Sequence, residues 1–222
     1  MIAADRSRIR VALADDQVLM RSALAVMLEP HDDLELVVEA ADGAELLERL
    51  RAHHADVVVM DVRMPRMDGI EATRRVRAEH PAVRVLVLTT FDLDEVVFAA
   101  IRAGASGFLT KDASADELVT AIRAVHAGDA TLAPRATASL VDFVAQAPEP
   151  VDAEQLLEPL TGRERDVLAQ LVTGASNDEI GERLYLTGNT VKTHVKSILA
   201  KLDLPDRVHV VIWAYERGLV SR

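Results

Sequence analysis

The chain has 222 residues, of which 50% are hydrophobic and 3% aromatic, with no cysteine and a formal net charge of −11. This apolar content suffices for a packed core and excludes a wholly disordered chain, while the lack of cysteine excludes disulfide scaffolds, cysteine-ligated zinc and cysteine nucleophiles. No apolar run approaches the roughly 20 residues of a membrane span and no signal-peptide core follows Met1, so we expect a cytoplasmic protein without a membrane partner.

Residues 1–130 alternate short apolar runs with amphipathic stretches. The apolar runs predict five buried strands, at Ile9–Ala14, Leu36–Ala40, Asp56–Met60, Val83–Leu88 and Gly107–Leu109. Five such strands alternating with five helices predict a parallel, doubly wound, flavodoxin-like α/β domain. Ligands of these folds bind beyond the carboxyl ends of the strands, so we expect the chemistry at that edge.

Carboxylates stand at two of these strand ends. Asp15 and Asp16 follow the first strand, and Asp61 follows the third. Neighbouring parallel strands are about 4.8 Å apart, so these side chains can converge. Mg²⁺ prefers such oxygen ligands, and its binding would relieve their mutual repulsion. The alternative is that these strand ends are merely acidic and solvated.

Two other strand ends carry a hydroxyl and an ammonium group. Thr89 ends the fourth strand, and Lys111 follows the fifth. Each by itself is well explained as an ordinary strand residue or a surface lysine. Beside a cation-bound carboxylate, both would suit an acyl phosphate, because they can hydrogen-bond to and neutralise its oxygens.

On these residues, segment 8–127 resembles the receiver domain of two-component response regulators. The matching positions are Asp15-Asp16, Asp61 with Met64-Pro65 and Asp68-Gly69, Thr89, Phe108 and Lys111. The resemblance implies that Asp61 is the phosphoacceptor and that a sensor histidine kinase is the donor.

The same resemblance implies a Mg²⁺ site and a switch. Asp16 and Asp61 would bind the ion directly, and Asp15 would act through water. The backbone carbonyl of Arg63 would complete the protein ligands. Thr89 and Phe108 would form the switch, in which the hydroxyl moves toward the phosphoryl group and the ring turns inward.

The composition changes after residue 130. Residues 131–157 are predicted to be a linker, with one helix over Pro134–Gln146 and then an acidic, proline-containing stretch. Residues 158–222 carry no strand signal, and four helices are predicted, at 161–173, 176–184, 187–202 and 206–217. Two of these helices begin with capping boxes, Thr161 to Glu164 and Ser176 to Glu179.

The third of these helices has the character of a DNA-reading helix. Positions 183–202 contain no acidic residue, and the helix would present one polar face formed by Asn189, Lys192, Thr193 and Lys196. A glycine-containing turn over residues 186–189 before it predicts a helix-turn-helix. The alternative is an ordinary amphipathic helix with a solvated lysine face.

Residues 158–220 resemble the LuxR-type (NarL/FixJ-like) DNA-binding domain. The segments that carry the resemblance are Leu160–Leu168, Gly174, Asn177, Glu179-Ile180 and Thr190–Leu202. It implies that Lys192, Thr193 and Lys196 lie on the recognition helix. It also implies that the last helix, with Val211 and Trp213, supports dimerisation. His194 would either contact a phosphate or fill space between helices.

We therefore predict a phosphorylation-gated transcription regulator. Phosphorylation of Asp61 would favour a homodimer that binds a pseudo-palindromic site in double-stranded DNA. A DNA-binding regulator that does not depend on phosphate is one alternative. A Mg²⁺-dependent aspartyl-phosphate phosphatase is another, but such enzymes need an acid two residues after the nucleophile, where this chain has Arg63. We accordingly expect that this chain is not an enzyme.

Overall fold

The computed structural model describes residues 8–90, 94–128 and 156–219. The chain divides into two compact units, Met1–Ala136 and Thr137–Arg222. The predicted helix at Pro134–Gln146 and most of the predicted linker lie outside the described residues. No helix in the described ranges combines the length and the apolar character needed to cross a bilayer.

The first unit is a parallel five-stranded sheet with five helices. Its strands are β1 (Ile9–Ala14), β2 (Leu34–Ala40), β3 (Val57–Asp61), β4 (Arg84–Thr89) and β5 (Gly107–Thr110). Its helices are α1 (Val18–Leu28), α2 (Gly43–Leu50), α3 (Gly69–Glu79), α4 (Asp94–Arg102) and α5 (Ala115–Ala127). The strand order is β2-β1-β3-β4-β5, which confirms the predicted doubly wound fold.

The strands run slightly further than predicted. β3, β4 and β5 each end one residue later, so Asp61 and Thr89 are the last residues of their strands. Apolar side chains on both faces explain why these strands are continuous hydrophobic runs. Val11, Leu13 and Val59 pack on the side of α1 and α5, and Met60 and Val87 are also fully buried.

The second unit is all helical. It contains α6 (Gly162–Leu171), α7 (Asn177–Leu184), α8 (Gly188–Leu202) and α9 (Arg207–Glu216). Both predicted capping boxes are present. The Thr161 hydroxyl accepts a hydrogen bond from the Glu164 amide, and the Ser176 hydroxyl accepts one from the Glu179 amide. One face of each helix packs into a common core that includes Leu171, Ile180 and Ile198.

The predicted helix-turn-helix is present as α7 and α8, and α8 begins one residue after the predicted start at 187. The turn covers residues 185–187 instead of 186–189, because Thr187 is the N-cap of α8 and Gly188 is its first residue. Tyr185 makes the turn, in the left-handed conformation at φ 56°. The turn is tight because Leu186 donates to the Gly181 carbonyl, and a Cβ on Gly181 would lie 2.7 Å from the Leu186 oxygen.

Candidate functional site

Three aspartates meet at the carboxyl edge of the sheet. β1 and β3 are neighbours in the strand order, which brings the residues after β1 beside the end of β3. One carboxylate oxygen from each of Asp15, Asp16 and Asp61 lies within 4.8 Å of the other two. Asp15 and Asp61 are buried, and Asp16 is exposed. The site therefore has a closed inner side and an outer side open to solvent.

Lys111 joins the two buried carboxylates. Its Nζ donates to Asp15 Oδ2 at 2.7 Å and lies 2.8 Å from Asp61 Oδ2. The Lys111 side chain is only 5% exposed. It reaches this position because its backbone N–H donates to the carbonyl of Thr89, at the end of the neighbouring strand.

Burial and charge set the protonation of this group. Burial raises the pKa of Asp61, and the charge of Asp15 raises it further against the opposing effect of Lys111. Burial would lower the pKa of Lys111, but the hydrogen bonds to Asp15 and Asp61 outweigh it and raise that pKa. These surroundings therefore favour the charged form of Lys111 and disfavour the charged form of Asp61.

The donor set fits a hard divalent cation. Three carboxylates face one ammonium, which leaves two negative charges uncompensated when all three acids are ionised. All side-chain ligands offered are oxygens, which Mg²⁺ prefers, and the exposed Asp16 leaves room for water. A hydrogen bond from the Arg63 backbone lowers the pKa of Asp61, so Arg63 also lies beside this carboxylate.

The two predicted switch residues lie on the next strands. Thr89 is buried at the end of β4, and Phe108 on β5 pairs in register with Val87. Phe108 is 1% exposed, so its ring is already turned inward.

Glycine is required where the chain leaves the site. Gly69 begins α3, and its N–H donates to the Val62 carbonyl at 2.9 Å. A Cβ on Gly69 would lie 1.9 Å from the backbone oxygen of Asp61. The Asp68-Gly69 pair thus lets α3 start directly against the backbone of Asp61.

In the second unit, α8 presents the predicted polar face. Asn189, Thr193 and Lys196 are exposed, and Lys192 is half-buried. Thr193 Oγ1 donates to the Asn189 carbonyl, one turn earlier. The opposite face of α8 is buried in the core of this unit, which confirms that the helix is amphipathic.

Two further basic residues of positions 183–202, Arg183 and Lys201, hydrogen-bond to side chains of their own unit. Arg183 donates to Gln170 Oε1 at 3.0 Å, and Lys201 donates to Glu164 Oε2 at 2.6 Å. His194 is half-buried. On the predicted polar face of α8, Lys196 is therefore the exposed lysine, and Lys192 is half-buried.

Glu164 ties α6 to the carboxyl-terminal half of α8. Besides closing the Thr161 capping box, it accepts from Ser197 Oγ at 2.6 Å and from Lys201. The hydrogen bonds from Lys201 and Ser197 lower the pKa of this buried carboxyl to about 2. The recognition-helix candidate is thus fixed to its own domain by an ionised group.

This geometry predicts an acid-sensitive second unit. The stabilisation from Glu164 is fully present above its ordinary pKa of 4.5 and is lost as the pH falls toward about 2. Glu164→Gln should lower the free energy of unfolding at pH 7 by about 1 to 3 kcal/mol and flatten the pH dependence in that window. Fluorescence of Trp213, the single tryptophan, reports unfolding of this unit.

Glu179→Gln is the matched control. Glu179 holds the same position in the Ser176 capping box, but it is exposed, and glutamine also completes such a box. The hydrogen bonds from Ser176 lower the pKa of Glu179 as well, but this group is exposed to solvent. Glu179→Gln should therefore change stability and its pH dependence much less than Glu164→Gln does. Equal effects of the two substitutions would contradict the role of Glu164.

The predicted dimerisation residues pack inside their own unit. Val211 and Trp213 are half-buried against its core. The Arg217 guanidinium lies 5.2 Å from the centre of the Trp213 ring. Only part of each side chain is therefore open to a second copy, and dimerisation through α9 stays a prediction.

Comparisons with known proteins match both units. The family model of the response regulator receiver domain matches residues 11–123, and that of the bacterial regulatory proteins of the luxR family matches residues 158–214.

The chain is 40% identical over 217 residues to YxjL, an uncharacterized transcriptional regulatory protein of Bacillus subtilis (strain 168), covering 98% of this chain and 100% of YxjL. The transcriptional regulatory protein LnrK of the same organism is 37% identical over 216 residues, covering 95% of this chain and 98% of LnrK. A crystal structure of ChrA, the response regulator of a heme-sensing two-component system, is 36% identical with a TM-score of 0.53, covering 96% of this chain and 100% of ChrA.

Proposed function

The chain belongs to the response regulators that join a receiver domain to a LuxR-type helix-turn-helix domain, and on that premise we propose that phosphorylation of Asp61 gates its binding to specific DNA sites. One observation carries the proposal. A buried carboxylate at a strand end is paired with a buried lysine, and two further aspartates lie within 4.8 Å. This is the arrangement that a transient acyl phosphate needs.

In the proposed reaction, an oxygen of Asp61 attacks phosphorus in line with the leaving group. The P–O bond to Asp61 forms as the P–N bond to the donor histidine breaks. Lys111 Nζ, which now lies 2.8 Å from Asp61, can turn to a phosphoryl oxygen and neutralise its charge. The Thr89 hydroxyl, at the end of the adjacent strand, can donate to another phosphoryl oxygen.

Asp16, Asp61 and the Arg63 carbonyl would hold Mg²⁺, with Asp15 acting through water. When bound, Mg²⁺ supplies positive charge for the incoming phosphoryl group. The chain's own contribution is to hold Asp15 and Asp61 in place through Lys111.

On the output side, α8 would enter the major groove as the recognition helix. Asn189, Lys192, Thr193 and Lys196 would contact base edges and phosphates. Two copies related by a two-fold axis would then bind a pseudo-palindromic site. Phosphorylation would favour this dimer through a two-state change in the receiver domain.

A direct experiment tests the proposal. Wild type incubated with Mg²⁺ and phosphoramidate should gain one phosphoryl group by intact mass, and Asp61→Asn should gain none. Affinity for a DNA site selected from a random pool should rise on phosphorylation of wild type only, at fixed salt. An unmodified wild type would refute the acceptor role, and equal DNA affinity with and without phosphate would refute the gating. Steady turnover of a phosphomonoester would instead identify a phosphatase.

The exposed face of α1 supports a protein phosphodonor. Val18 and Leu19 are exposed at the start of α1, and Leu19 is 85% exposed. This turn adjoins the site, because Arg21 Nη1 donates to the Asp15 carbonyl at 2.5 Å. A kinase that brings its phosphohistidine to Asp61 must cover the rim of the pocket, and this apolar turn is suited to such contact.

Leu19→Lys should therefore slow transfer from an autophosphorylated sensor kinase that phosphorylates the wild-type chain, by roughly ten-fold or more. It should leave the rate with phosphoramidate unchanged, because the Leu19 side chain is 85% exposed and offers no ligand atom to an ion or a phosphoryl group. Radiolabel transfer measures the first rate and intact mass the second. An equal loss with both donors would mean that the substitution disturbs the pocket itself.

Lys196→Ala should weaken DNA binding and make the slope of log affinity against log salt less negative by about 1. Arg183→Ala is the control, since its guanidinium donates to Gln170 within the domain. Fluorescence anisotropy at several salt concentrations measures both variants. The same slope for Lys196→Ala and wild type would exclude a phosphate contact by Lys196.

A further inference from the structure

The loop that follows β3 determines which groups lie around Asp61. Residues 62–68 join β3 to α3 and form this loop, called here the β3–α3 loop. Arg63, its second residue, hydrogen-bonds through its backbone to the Asp61 carboxylate. A shift of this loop would therefore move both that donor and the Arg63 carbonyl.

An unusual backbone conformation occurs in the middle of this loop. Arg66 has φ 60°, in the left-handed region that non-glycine residues rarely adopt. Its side chain is mostly exposed, yet its guanidinium pairs with the carboxylate of Asp42, which is 1% exposed. An exposed arginine of the loop thus reaches a buried carboxylate at the amino end of α2.

Asp42 has two functions in this arrangement. It is the N-cap of α2, and its Oδ1 accepts from Ala44 N at 2.9 Å and from Glu45 N at 3.1 Å. Its Oδ2 pairs with Arg66. Burial would raise the pKa of Asp42, but the hydrogen bonds from Glu45 and Arg66 outweigh it and lower that pKa. Serine or asparagine could serve as the cap, so the cap alone does not require a buried charge.

The residue after Asp42 contacts the same loop. Gly43 N donates to the Met67 carbonyl at 3.2 Å. A Cβ on Gly43 would lie 2.5 Å from Ala72 Cβ and 3.0 Å from the Met67 side chain. The amino end of α2 is thus in direct contact with the β3–α3 loop, which it holds at two consecutive positions.

We infer that Asp42 is a positioning residue for phosphoryl transfer to Asp61, acting through Arg66 on the β3–α3 loop. The ion pair holds the left-handed turn at Arg66, and the loop in turn keeps the Arg63 backbone beside the acceptor carboxylate. This inference rests on the proposed function of Asp61.

Asp42→Asn and Arg66→Gly separate this role from simple stability. Asparagine retains the N-cap but loses the charge, and glycine removes the arginine while adopting φ 60° without strain. Both variants should bind Mg²⁺ roughly ten-fold more weakly, as is typical when support for a metal ligand is lost. Calorimetric titration with Mg²⁺ alone measures this, and hydrogen exchange should be faster in the β3–α3 loop.

Phosphorylation by phosphoramidate provides a second readout. Both variants should react more slowly than wild type at low Mg²⁺ and approach the wild-type rate at saturating Mg²⁺. Asp56→Asn is the matched control, since Asp56 forms a pair with Arg10 at 2.8 Å before β3, at the other edge of the sheet. It should lower stability without changing Mg²⁺ affinity.

Wild-type Mg²⁺ affinity in Asp42→Asn and Arg66→Gly would overturn the inference, even if wild type is phosphorylated normally. Failure of wild type to accept phosphate would refute the proposed function instead. If Asp42→Asn does not fold, Arg66→Gly decides, because its exposed side chain can be removed without opening the core.

Discussion

Gly69→Ala is expected to destabilise the receiver domain by at least about 3 kcal/mol and to abolish phosphorylation of Asp61. The new methyl group would lie 1.9 Å from the Asp61 oxygen, 2.8 Å from its carbonyl carbon and 3.0 Å from Val62 Cα. These are backbone atoms, so no side-chain rotation can relieve the clash. The backbone of Asp61 itself must therefore move.

Urea unfolding, followed by far-UV circular dichroism, measures how much stability the first unit loses in Gly69→Ala. Trp213 fluorescence follows the second unit separately, because this tryptophan is the only one in the chain. The first unit should therefore unfold at lower urea while the fluorescence transition stays unchanged. Intact mass after incubation with phosphoramidate and Mg²⁺ measures phosphorylation.

Gly162→Ala provides the matched control. Gly162 is likewise the first residue of a helix that follows a capping side chain, Thr161 in place of Asp68. A Cβ there would meet nothing within 4 Å. Alanine should therefore be neutral or stabilise by up to about 1 kcal/mol, chiefly by restricting the unfolded chain. A similar loss in both variants would show that the clash at Asp61 is not the cause.

The sheet could be predicted from sequence because burial on both faces leaves a strong signal. Each strand is a short run rich in Val, Leu or Ile between amphipathic stretches, and all five were placed within two residues of their observed ends. The convergence of Asp15 and Asp61 followed from parallel strands sharing one edge. Helix starts were also predictable where a capping box marked them, as at Thr161 and Ser176.

The contacts between distant segments could not be predicted in the same way. Asp42 and Arg66 are 24 positions apart, and neither stands in a pattern that marks an ion pair. Their pairing depends on how α2 packs beside the β3–α3 loop. Likewise, nothing in an acid-free helix reveals that Lys201 turns away from the polar face to reach Glu164.

The turn before α8 differs from the predicted one in a single detail. The sequence predicts a glycine-containing turn over residues 186–189 that overlaps the helix predicted at 187–202. The structure has Tyr185 in this turn, and Thr187 caps the helix just before Gly188. The Thr190 amide donates to Thr187 Oγ1, so the predicted helix start at 187 is the observed N-cap, and Gly188 follows it inside the helix.

Lys111→Met is expected to have a second large effect on the group around Asp61. It removes the cation that pairs with Asp15 and Asp61 and leaves two buried carboxylates without it. Removing one partner of a buried pair costs about 3 to 5 kcal/mol. Phosphorylation should slow by roughly 100-fold or more, because a preorganised charge at the developing phosphoryl group is lost.

The pH dependence of this variant distinguishes lost charge from lost packing. The pKa of Asp61 is already raised in the wild-type fold, and loss of Lys111 removes the group that opposes this shift. A raised carboxyl pKa favours the folded state at low pH, so the contribution of Asp61 to stability should be fully present below its ordinary pKa of 3.8 and be lost as the pH rises through the folded-state value. Urea titrations from pH 4 to 8 should therefore show a widening gap between Lys111→Met and wild type. Added Mg²⁺ should narrow that gap at neutral pH, since it supplies the missing positive charge. A constant gap over this range would mean that Lys111 acts through packing alone.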